Sequence, residues 1–242
     1  SHFFCVSTDK AANPVNIMGA SKKLMEELIM AYSSKLKITT ARFANVAFSN
    51  GSLPLGFINR LNKNQPWACP LGIKRFFVSP EESGQLCLIA SVLGCSGDIF
   101  FPKLSKALHL LSFSDIAIKY LKDKGFEPYL CNTEDEAREL IKILPEKKKW
   151  PCLFTKSDTT GEKDFEEFFT ENETLDMNKF QNLGIIKNQL NYNQDQLTHF
   201  ENSIYNLKTE KSWNKSDIVS LFHQMISDFG HKEVDKYLDD KM

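Results

Sequence analysis

The first residues of the chain switch from a short apolar run to a longer segment with helical spacing. Phe3–Val6 is a run of four apolar residues that ends at the polar residues Ser7–Lys10, a pattern typical of a buried strand whose end opens onto a cleft. Asn13-Pro14 forces an extended or turning backbone, so a helix can begin near Ile17. One broad helical face is predicted to pack on a sheet, formed by Met18, Met25, Leu28, Ile29 and Tyr32, with Lys23, Glu26 and Glu27 elsewhere.

A second strand follows this helix. Ile38–Val46 is rich in β-branched and apolar residues, and strand, helix, strand makes a parallel crossover unit. Open α/β sheets carry their chemistry at the carboxyl ends of their strands, so we expect Ser7–Lys10 to face a cleft. Because the first strand starts almost at residue 1, we also expect the chain to begin partway through a domain.

The α/β pattern continues to residue 102. Ser79-Pro80-Glu81-Glu82 predicts a helix start, with serine at the N-cap, proline at the first position and acids in the first turn. The other predicted elements are a helix over Leu53–Leu61, an irregular stretch from Gln65 to Gly72, a strand over Lys74–Val78, helix continuing to Leu93 and a strand over Asp98–Pro102.

Beyond residue 111 the order of predicted helices and strands changes. Helices are predicted from Ser114 to about Lys124 and from Asp135 to Leu144, with a short strand over Pro128–Cys131. Asn188–Leu207 is polar and rich in Asn and Gln, and we interpret it as a linker that contains a helix. Amphipathic helices over Ser216–Met225 and Val234–Leu238 follow. We divide the chain into residues 1–111, a small α/β appendage at 112–187, and the linker with C-terminal helices at 188–242.

The overall composition argues against a polyanionic partner. The 30 Lys and Arg residues stand against 31 Asp and Glu, so we expect no binding to nucleic acid or to an anionic membrane. Six dispersed cysteines without a C-x-x-C pair and five scattered histidines predict reduced core thiols and no metal site. No stretch approaches the roughly 20 apolar residues of a membrane span, and we expect a cytoplasmic protein.

Candidate chemistry begins with Asp9 and Lys10 at the end of the first strand. Adjacent unlike charges in a cleft can act as proton donor and acceptor, although an ordinary solvated pair in a loop has the same sequence. Lys22 favours the catalytic interpretation over the solvated pair. Its stem lies at the edge of the apolar helix face, and its ammonium needs a polar or anionic partner there.

These residues belong to longer stretches that resemble a known enzyme family. Ser7–Pro14 and Met18–Lys22 are similar to the active-site strand and helix of extended short-chain dehydrogenase/reductases, and more narrowly to nucleotide-sugar 4,6-dehydratases. Those enzymes act on UDP- or GDP-N-acetylglucosamine in bacterial surface-polysaccharide and nonulosonic-acid biosynthesis. Further agreement, over roughly residues 3 to 102, comes from Arg42–Val46, Asn50–Ser52, Arg75–Val78 and Glu81–Gly84.

The resemblance implies a fold and a reaction. Residues 1–111 would be the C-terminal part of a Rossmann-type α/β catalytic domain with a parallel sheet and elements of a substrate-binding lobe, followed by a helical tail. The implied enzyme is a lyase in which NAD(P)+ takes hydride from sugar C4, water leaves across C5 and C6, and hydride returns to C6. A homo-oligomer is expected for the full-length protein.

The resemblance also assigns roles to single residues. Thr8 would hydrogen-bond the C4 oxygen, Asp9 would protonate the departing 6-hydroxyl, and Lys10 would remove the C5 proton. Lys22 is counted with these three as catalytic and also as cofactor-binding, on the nicotinamide ribose. The other implied cofactor-binding residues are Ser7, Ala44 and Val46, and the implied substrate-binding residues are Asn13, Asn45, Ser52 and Arg75. Arg75 would meet a phosphate, for which its fork geometry is suited; the alternative is a surface cation.

Two departures from the family pattern matter. Met18 stands where the wider superfamily has the tyrosine of Tyr-x-x-x-Lys, and a thioether cannot exchange a proton. We therefore take Asp9 as the candidate base for the 4-hydroxyl and expect Met18 to pack as a core residue. None of the 11 glycines forms the dinucleotide fingerprint G-x-G-x-x-G, so we expect the 242-residue chain to bind cofactor poorly and to be inactive alone.

Two other functions stay open. One is a C4- or C5-epimerase of the same superfamily, although the Thr-Asp-Lys triplet favours dehydration because a C4-epimerase needs no group to eliminate the 6-hydroxyl. The other is a catalytically silent binding or assembly module, in which residues 112–242 make partner contacts; the absent fingerprint motivates it. The residues do not distinguish UDP from GDP sugars or NAD from NADP.

Overall fold

The computed structural model describes residues 1–106, 110–156, 163, 165–187, 193–211 and 213–233. The strands are β1 (His2–Thr8), β2 (Lys37–Phe43), β3 (Asn45–Val46), β4 (Trp67–Leu71), β5 (Lys74–Val78), β6 (Asp98–Pro102), β7 (Leu110–Ser112), β8 (Glu127–Leu130), β9 (Lys149–Lys156), β10 (Thr174–Asp176) and β11 (Leu183–Lys187). The helices are α1 (Ile17–Ala31), α2 (Leu53–Asn62), α3 (Pro80–Leu93), α4 (Phe113–Asp123), α5 (Glu134–Leu140), α6 (Gln194–Glu210) and α7 (Lys215–Met225). The helix predicted over Val234–Leu238 lies outside the described residues. Within those described ranges, no helix is both long enough and apolar enough to cross a bilayer.

The main sheet has five strands in the order β1, β2, β6, β11, β10. β1 and β2 are parallel, with Thr8 opposite Phe43, and β2 is parallel to β6, with Ala41 opposite Phe100. β11 and β10 continue the sheet in the antiparallel sense. Since α1 connects β1 to β2, the predicted crossover unit is confirmed, as is the α/β class with a Rossmann-type parallel sheet and C-terminal helices. The carboxyl ends of β1 and β2 therefore meet at one edge of the sheet.

Two small sheets complete the architecture, with orders β3-β5-β7 and β4-β9-β8. The prediction of one strand over Ile38–Val46 is wrong, because β2 ends at Phe43 and Asn45 pairs with Phe77 of β5. The amide of Asn45 also donates to the Phe76 carbonyl at 3.2 Å, and this holds the chain on the second sheet. The division at 111/112 stays a prediction; both β4–β9 and β6–β11 pairs cross it.

The predicted helix start at residue 79 is confirmed in detail. The Ser79 hydroxyl accepts from the Glu82 amide at 3.1 Å, and the Glu82 carboxylate accepts from the Ser79 amide at 2.6 Å. This reciprocal capping box satisfies two amide groups that the first turn of a helix leaves without partners. The result is a fixed start for α3, which packs on β1, β2 and β6.

The face on which α1 packs differs from the prediction. Met18, predicted to lie in the core, is 46% exposed, and Tyr32 is exposed as well. The buried residues of α1 are Gly19, Ala20, Leu24, Glu26 and Met30. They cover two sides of the helix, because the sheet lies on one side and the C-terminal helix α7 packs on the other. Ala20 and Leu24 contact Phe222, Ile226 and Phe229 in that second interface.

A buried ion cluster joins α1, β2 and the segment that precedes β10. The guanidinium of Arg42 is 2% exposed and donates to the Glu26 carboxylate at 2.7–3.2 Å, to the Glu173 carboxylate at 2.7–2.9 Å and to the Phe168 carbonyl at 2.9 Å. Burial opposes the charge of Arg42, but the carboxylates of Glu26 and Glu173 outweigh it, so the pKa of Arg42 lies above its ordinary value. Glu26 is buried for this reason, against the prediction from its helical position.

The cysteines fall into buried and accessible groups. Cys69, Cys131 and Cys152 are buried, whereas Cys95 is exposed, so the prediction of core thiols is confirmed for the first three. Burial raises the pKa of Cys69 and of Cys152 to about 12. Since the thiolate is the reactive form of cysteine, these two side chains are packing residues rather than nucleophiles.

Arg42→Met tests the ion cluster. The substitution leaves the Glu26 carboxylate buried without a cation, and removing one partner of a buried pair costs about 3–5 kcal/mol. We expect a loss of that size in the free energy of unfolding, measured by urea titration. The matched control is Arg138→Met, which breaks an exposed pair with Glu134 on α5 and should leave stability nearly unchanged. Equal effects of the two substitutions would contradict the role assigned to Arg42.

Alkylation with iodoacetamide at pH 8 tests the cysteine environments. We expect rapid labelling of Cys95 in the folded protein, and labelling of Cys69 and Cys152 after unfolding in guanidinium, because burial and a raised pKa withhold the thiolate. Peptide mass spectrometry identifies the labelled sites. Labelling of Cys152 in the native protein at the rate of Cys95 would show that β9 is not packed as described.

Candidate active site

Three consecutive residues at the carboxyl end of β1 form a hydrogen-bonded group. The Asp9 Oδ1 atom accepts from the Thr8 hydroxyl at 2.8 Å and from the Lys10 ammonium at 3.0 Å. A 3-10 turn over Asp9–Ala11 bends the chain just after the strand, which brings these neighbouring side chains to one carboxylate. Asp9 is fully buried, whereas the Lys10 side chain is 24% exposed. The predicted catalytic residues Thr8, Asp9 and Lys10 are thus brought together.

Two polar atoms beside this group have no hydrogen-bond partner in the described part of the chain. They are the second carboxylate oxygen of Asp9, Oδ2, and the hydroxyl oxygen of Ser7, both buried. A buried polar group without a partner is costly, so such groups in proteins call for an explanation such as a bound ligand. Asp9 therefore has one oxygen fixed by the protein and one oxygen available to a ligand.

Gly19 allows α1 to approach this loop closely. A Cβ atom at position 19 would lie 2.7 Å from the Lys10 carbonyl oxygen and 3.3 Å from Pro14. Real Cβ atoms do not come that close to backbone oxygen. The glycine in Met18-Gly19-Ala20 thus sets the distance between α1 and the Thr8-Asp9-Lys10 turn.

Lys22 of the predicted site and Met18, which was expected to pack in the core, are both placed differently from expectation. Lys22 is half-buried, and its ammonium forms no hydrogen bond or ion pair with any described residue, so the partner that its position was expected to need is not supplied there. Met18 is exposed one turn earlier. The structure therefore leaves both side chains accessible to a ligand on the same side of α1.

Asn13 and Arg75 both contact one distant segment, which we call the crossing segment and define as residues 163 and 165–173. The Asn13 amide donates to Glu167 Oε2 at 2.7 Å, and Arg75 Nη1 donates to the Lys163 carbonyl at 3.0 Å. Arg75 also donates to the Lys74 carbonyl at 2.9 Å and is 6% exposed. The alternative interpretation of Arg75 as a surface cation is therefore wrong.

The other predicted site residues follow β2. Ala44 is buried and Val46 is half-buried, and both lie just beyond the end of β2, next to the end of β1. The Asn45 amide is engaged by the Phe76 carbonyl, and the Ser52 hydroxyl caps α2 by accepting from the Leu55 amide at 3.4 Å. Their assignment to cofactor and substrate stays a prediction.

The sequence analysis missed the residues that hold this site together. Glu26, Arg42 and Glu173 were given no role, although a charged residue inside an apolar strand is a signal that a buried partner exists. No local pattern predicted the contacts of the crossing segment either, because Asn13 and Arg75 lie 154 and 88 positions away from the residues they bind. Within the described ranges, no group of three or more His, Cys, Asp or Glu side chains could hold a metal ion.

Comparison with known proteins identifies similar sequences and one similar fold. The polysaccharide biosynthesis protein family matches residues 1–188. An uncharacterized membrane protein of Methanocaldococcus jannaschii is 30% identical over 230 residues, covering 92% of this chain and 62% of the relative. The UDP-glucose 4-epimerase of Rickettsia canadensis is 33% identical over 150 residues, covering 55% of this chain and 44% of the relative.

The solved structure of Pen from Bacillus thuringiensis has a TM-score of 0.60 at 22% identity, covering 80% of this chain and 54% of that one. This likeness concerns the fold. The chain spans less than two thirds of the length of each of these three proteins. The predicted cytoplasmic location stays a prediction, as one of these relatives is described as a membrane protein.

Substitution of the two site lysines should separate their roles in stability. Lys10→Met leaves the fully buried Asp9 carboxylate with Thr8 as its remaining donor, and we expect a loss of about 2 kcal/mol in the free energy of unfolding. Lys22→Met removes an ammonium without a partner among the described residues and should change stability little. Urea titration of both variants measures the difference. A larger loss from Lys22→Met would contradict the hydrogen bonding of Lys10 to Asp9.

Proposed function

The chain belongs to the polysaccharide biosynthesis protein family, and we propose that it carries the elimination site of a nucleotide-sugar 4,6-dehydratase. The substrate would be UDP- or GDP-N-acetylglucosamine and the product its 4-keto-6-deoxy sugar. The observation that carries the proposal is the Thr8-Asp9-Lys10 group, in which one carboxylate oxygen is shared by a hydroxyl and an ammonium while the other oxygen has no partner among the described residues. Elimination of water needs both a base and an acid at neighbouring sugar carbons.

Each residue of the group has one task in this mechanism. The Thr8 hydroxyl donates to Asp9 and can accept from the sugar 4-hydroxyl, so the proton of that hydroxyl can pass through Thr8 to Asp9. Lys10 acts as the free amine, its ammonium proton having passed to solvent on its exposed side, and takes the C5 proton after the 4-ketone has made it acidic. The carboxyl group of Asp9 gives the proton that it received through Thr8 to the departing 6-hydroxyl, which leaves as water. Lys10 then returns a proton to C5 when hydride adds to C6. Met18, exposed and without a proton to exchange, does no acid-base chemistry.

A nicotinamide dinucleotide would supply the hydride-transfer chemistry at C4 and C6. The residues present fit its nicotinamide ribose: the Ser7 hydroxyl is buried without a partner, and the Lys22 ammonium faces no described anion. Both groups can donate to neutral hydroxyls. No glycine-rich fingerprint for the pyrophosphate occurs in the 242 residues, and we propose that dehydration requires such a segment in addition. The expected homo-oligomer stays a prediction.

A second candidate is a nucleotide-sugar epimerase, favoured by the similarity to a UDP-glucose 4-epimerase. The two reactions differ in what they do with the C5 proton and the 6-hydroxyl. A C4-epimerase leaves both in place, so the tasks of Lys10 at C5 and of Asp9 at the 6-hydroxyl would have no function in it, whereas proton transfer from the 4-hydroxyl through Thr8 to Asp9 would serve both reactions. A silent binding module would use neither residue.

Product analysis in D2O tests the proposal. The protein encoded by the complete reading frame is incubated with NAD+ or NADP+ and with UDP- or GDP-N-acetylglucosamine. NMR and mass spectrometry follow the sugar. Dehydration predicts a 4-keto-6-deoxy sugar that has lost one water and carries deuterium at C5. Asp9→Asn and Lys10→Met should each lower kcat by about 100-fold or more, whereas Lys142→Met, an exposed change on the loop after α5, should not.

The competing functions give different products. A 4-epimer without deuterium would replace the dehydratase proposal by the C4-epimerase, and a 5-epimer that carries deuterium but retains its 6-hydroxyl would indicate a C5-epimerase. Nucleotide-sugar binding without any turnover in the presence of bound cofactor would support the silent module.

A further inference from the structure

The crossing segment has a firmly anchored end. Phe168 is buried among Phe76 and Phe101, and its carbonyl accepts from Arg42. Glu173 binds the same guanidinium through both carboxylate oxygens. These contacts fix residues 168–173 against the sheet. Of the described residues that precede them, Glu167 contacts Asn13, beyond the end of β1, and Lys163 contacts Arg75 of β5.

The other end of the segment carries a charge pair of a different kind. Lys163 Nζ and Glu166 Oε2 are 3.3 Å apart, with side chains 15% and 6% exposed. Neither atom forms a hydrogen bond within the described part of the chain. The two charges are therefore close and withdrawn from water but are not satisfied by hydrogen bonding, a costly arrangement for a pair that serves stability alone.

The position of Lys163 connects this pair with the proposed substrate. Its carbonyl accepts from Arg75 Nη1, so the Lys163 backbone touches the guanidinium that the family resemblance assigns to a substrate phosphate. Further along the segment, Glu167 binds Asn13, which precedes α1. A lysine on the segment that Arg75 binds offers a second cation for a diphosphate, which carries negative charge on both phosphates and accepts several charge-assisted hydrogen bonds.

We propose that Lys163 is a second diphosphate-binding residue and that Glu166 holds its ammonium in place when no nucleotide is bound. This inference rests on the proposed function, since it assumes a nucleoside diphosphate at Arg75. On binding, the Lys163 ammonium exchanges Glu166 for a phosphate oxygen, and no covalent bond changes. Glu166 then competes with the ligand, so that removing its charge strengthens binding.

Calorimetric titration of the 242-residue chain with UDP and with GDP tests the inference. Lys163→Met should weaken binding of the preferred nucleotide about tenfold, the effect of losing one charged hydrogen bond. Glu166→Gln should strengthen it several-fold, because the competing carboxylate is gone. Lys163→Arg retains the charge and should retain most of the affinity, while the matched control Lys142→Met should bind as the unsubstituted chain does.

Two further measurements separate binding from folding. The double variant Lys163→Met/Glu166→Gln removes both charges, so it should unfold at the temperature of the unsubstituted chain and still bind UDP or GDP weakly. Uridine and guanosine lack phosphates and should bind all variants alike. An ion pair of structural importance alone would instead give lower unfolding temperatures for the single variants and unchanged affinity for the diphosphates.

The outcomes distinguish this inference from the proposed function. If UDP or GDP binds the unsubstituted chain and the variants bind it equally well, Lys163 has no role in recognition, while the dehydratase proposal stands. If neither nucleotide binds, both the inference and the assignment of Arg75 to a phosphate are wrong. Weaker binding by Lys163→Met together with tighter binding by Glu166→Gln supports the role of Lys163 and the assignment of Arg75 to a phosphate.

Discussion

The arrangement of the site depends on the buried guanidinium of Arg42. It joins three parts of the chain that are distant in sequence: Glu26 on α1, β2 itself, and the crossing segment through Phe168 and Glu173. A cation removed from water is tolerated when its fork of donors is filled, and here two carboxylates and a carbonyl fill it. Because Glu26 lies one turn beyond Lys22, the contact that secures α1 also sets the position of the lysine proposed to meet the cofactor.

The reactive group depends on the geometry at the ends of two parallel strands. Register places Thr8 beside Phe43, so the polar residues after β1 lie next to the residues that follow β2. A tight turn then directs Thr8 and Lys10 to one oxygen of Asp9, and Gly19 allows the helix to lie against that turn. One oxygen of a buried carboxylate thereby receives two donors, and the other has no hydrogen-bond partner among the described residues.

Much of this architecture could be predicted from local sequence. The strand before Ser7, the cap at Ser79 and the crossover unit are local patterns, and the structure confirms them. The predicted burial of that strand is wrong, because β1 lies at the edge of the sheet and leaves Phe3 and Val6 exposed. The exposed Met18 and the buried Glu26 were predicted wrongly because α7 packs on α1 from far along the chain and because Arg42 of β2 binds Glu26 in a cluster that Glu173 completes. Hydrophobic spacing identifies a helix, but it does not reveal how many neighbours will cover it.

The difference between the two ends of the crossing segment follows from the quality of their hydrogen bonds. Arg42 meets its acceptors at 2.7–3.2 Å, with two oxygens of each carboxylate engaged, and an incoming anion has no vacant donor there to bind. Lys163 and Glu166 are held at 3.3 Å without a hydrogen bond to any described residue, so an anion that offers the ammonium a good acceptor loses little by displacing the carboxylate. The crossing segment is fixed to the sheet by Arg42 at one end, and at its other end the Lys163 ammonium can exchange Glu166 for a ligand. The segment can therefore bind a ligand without disturbing the sheet that positions Asp9.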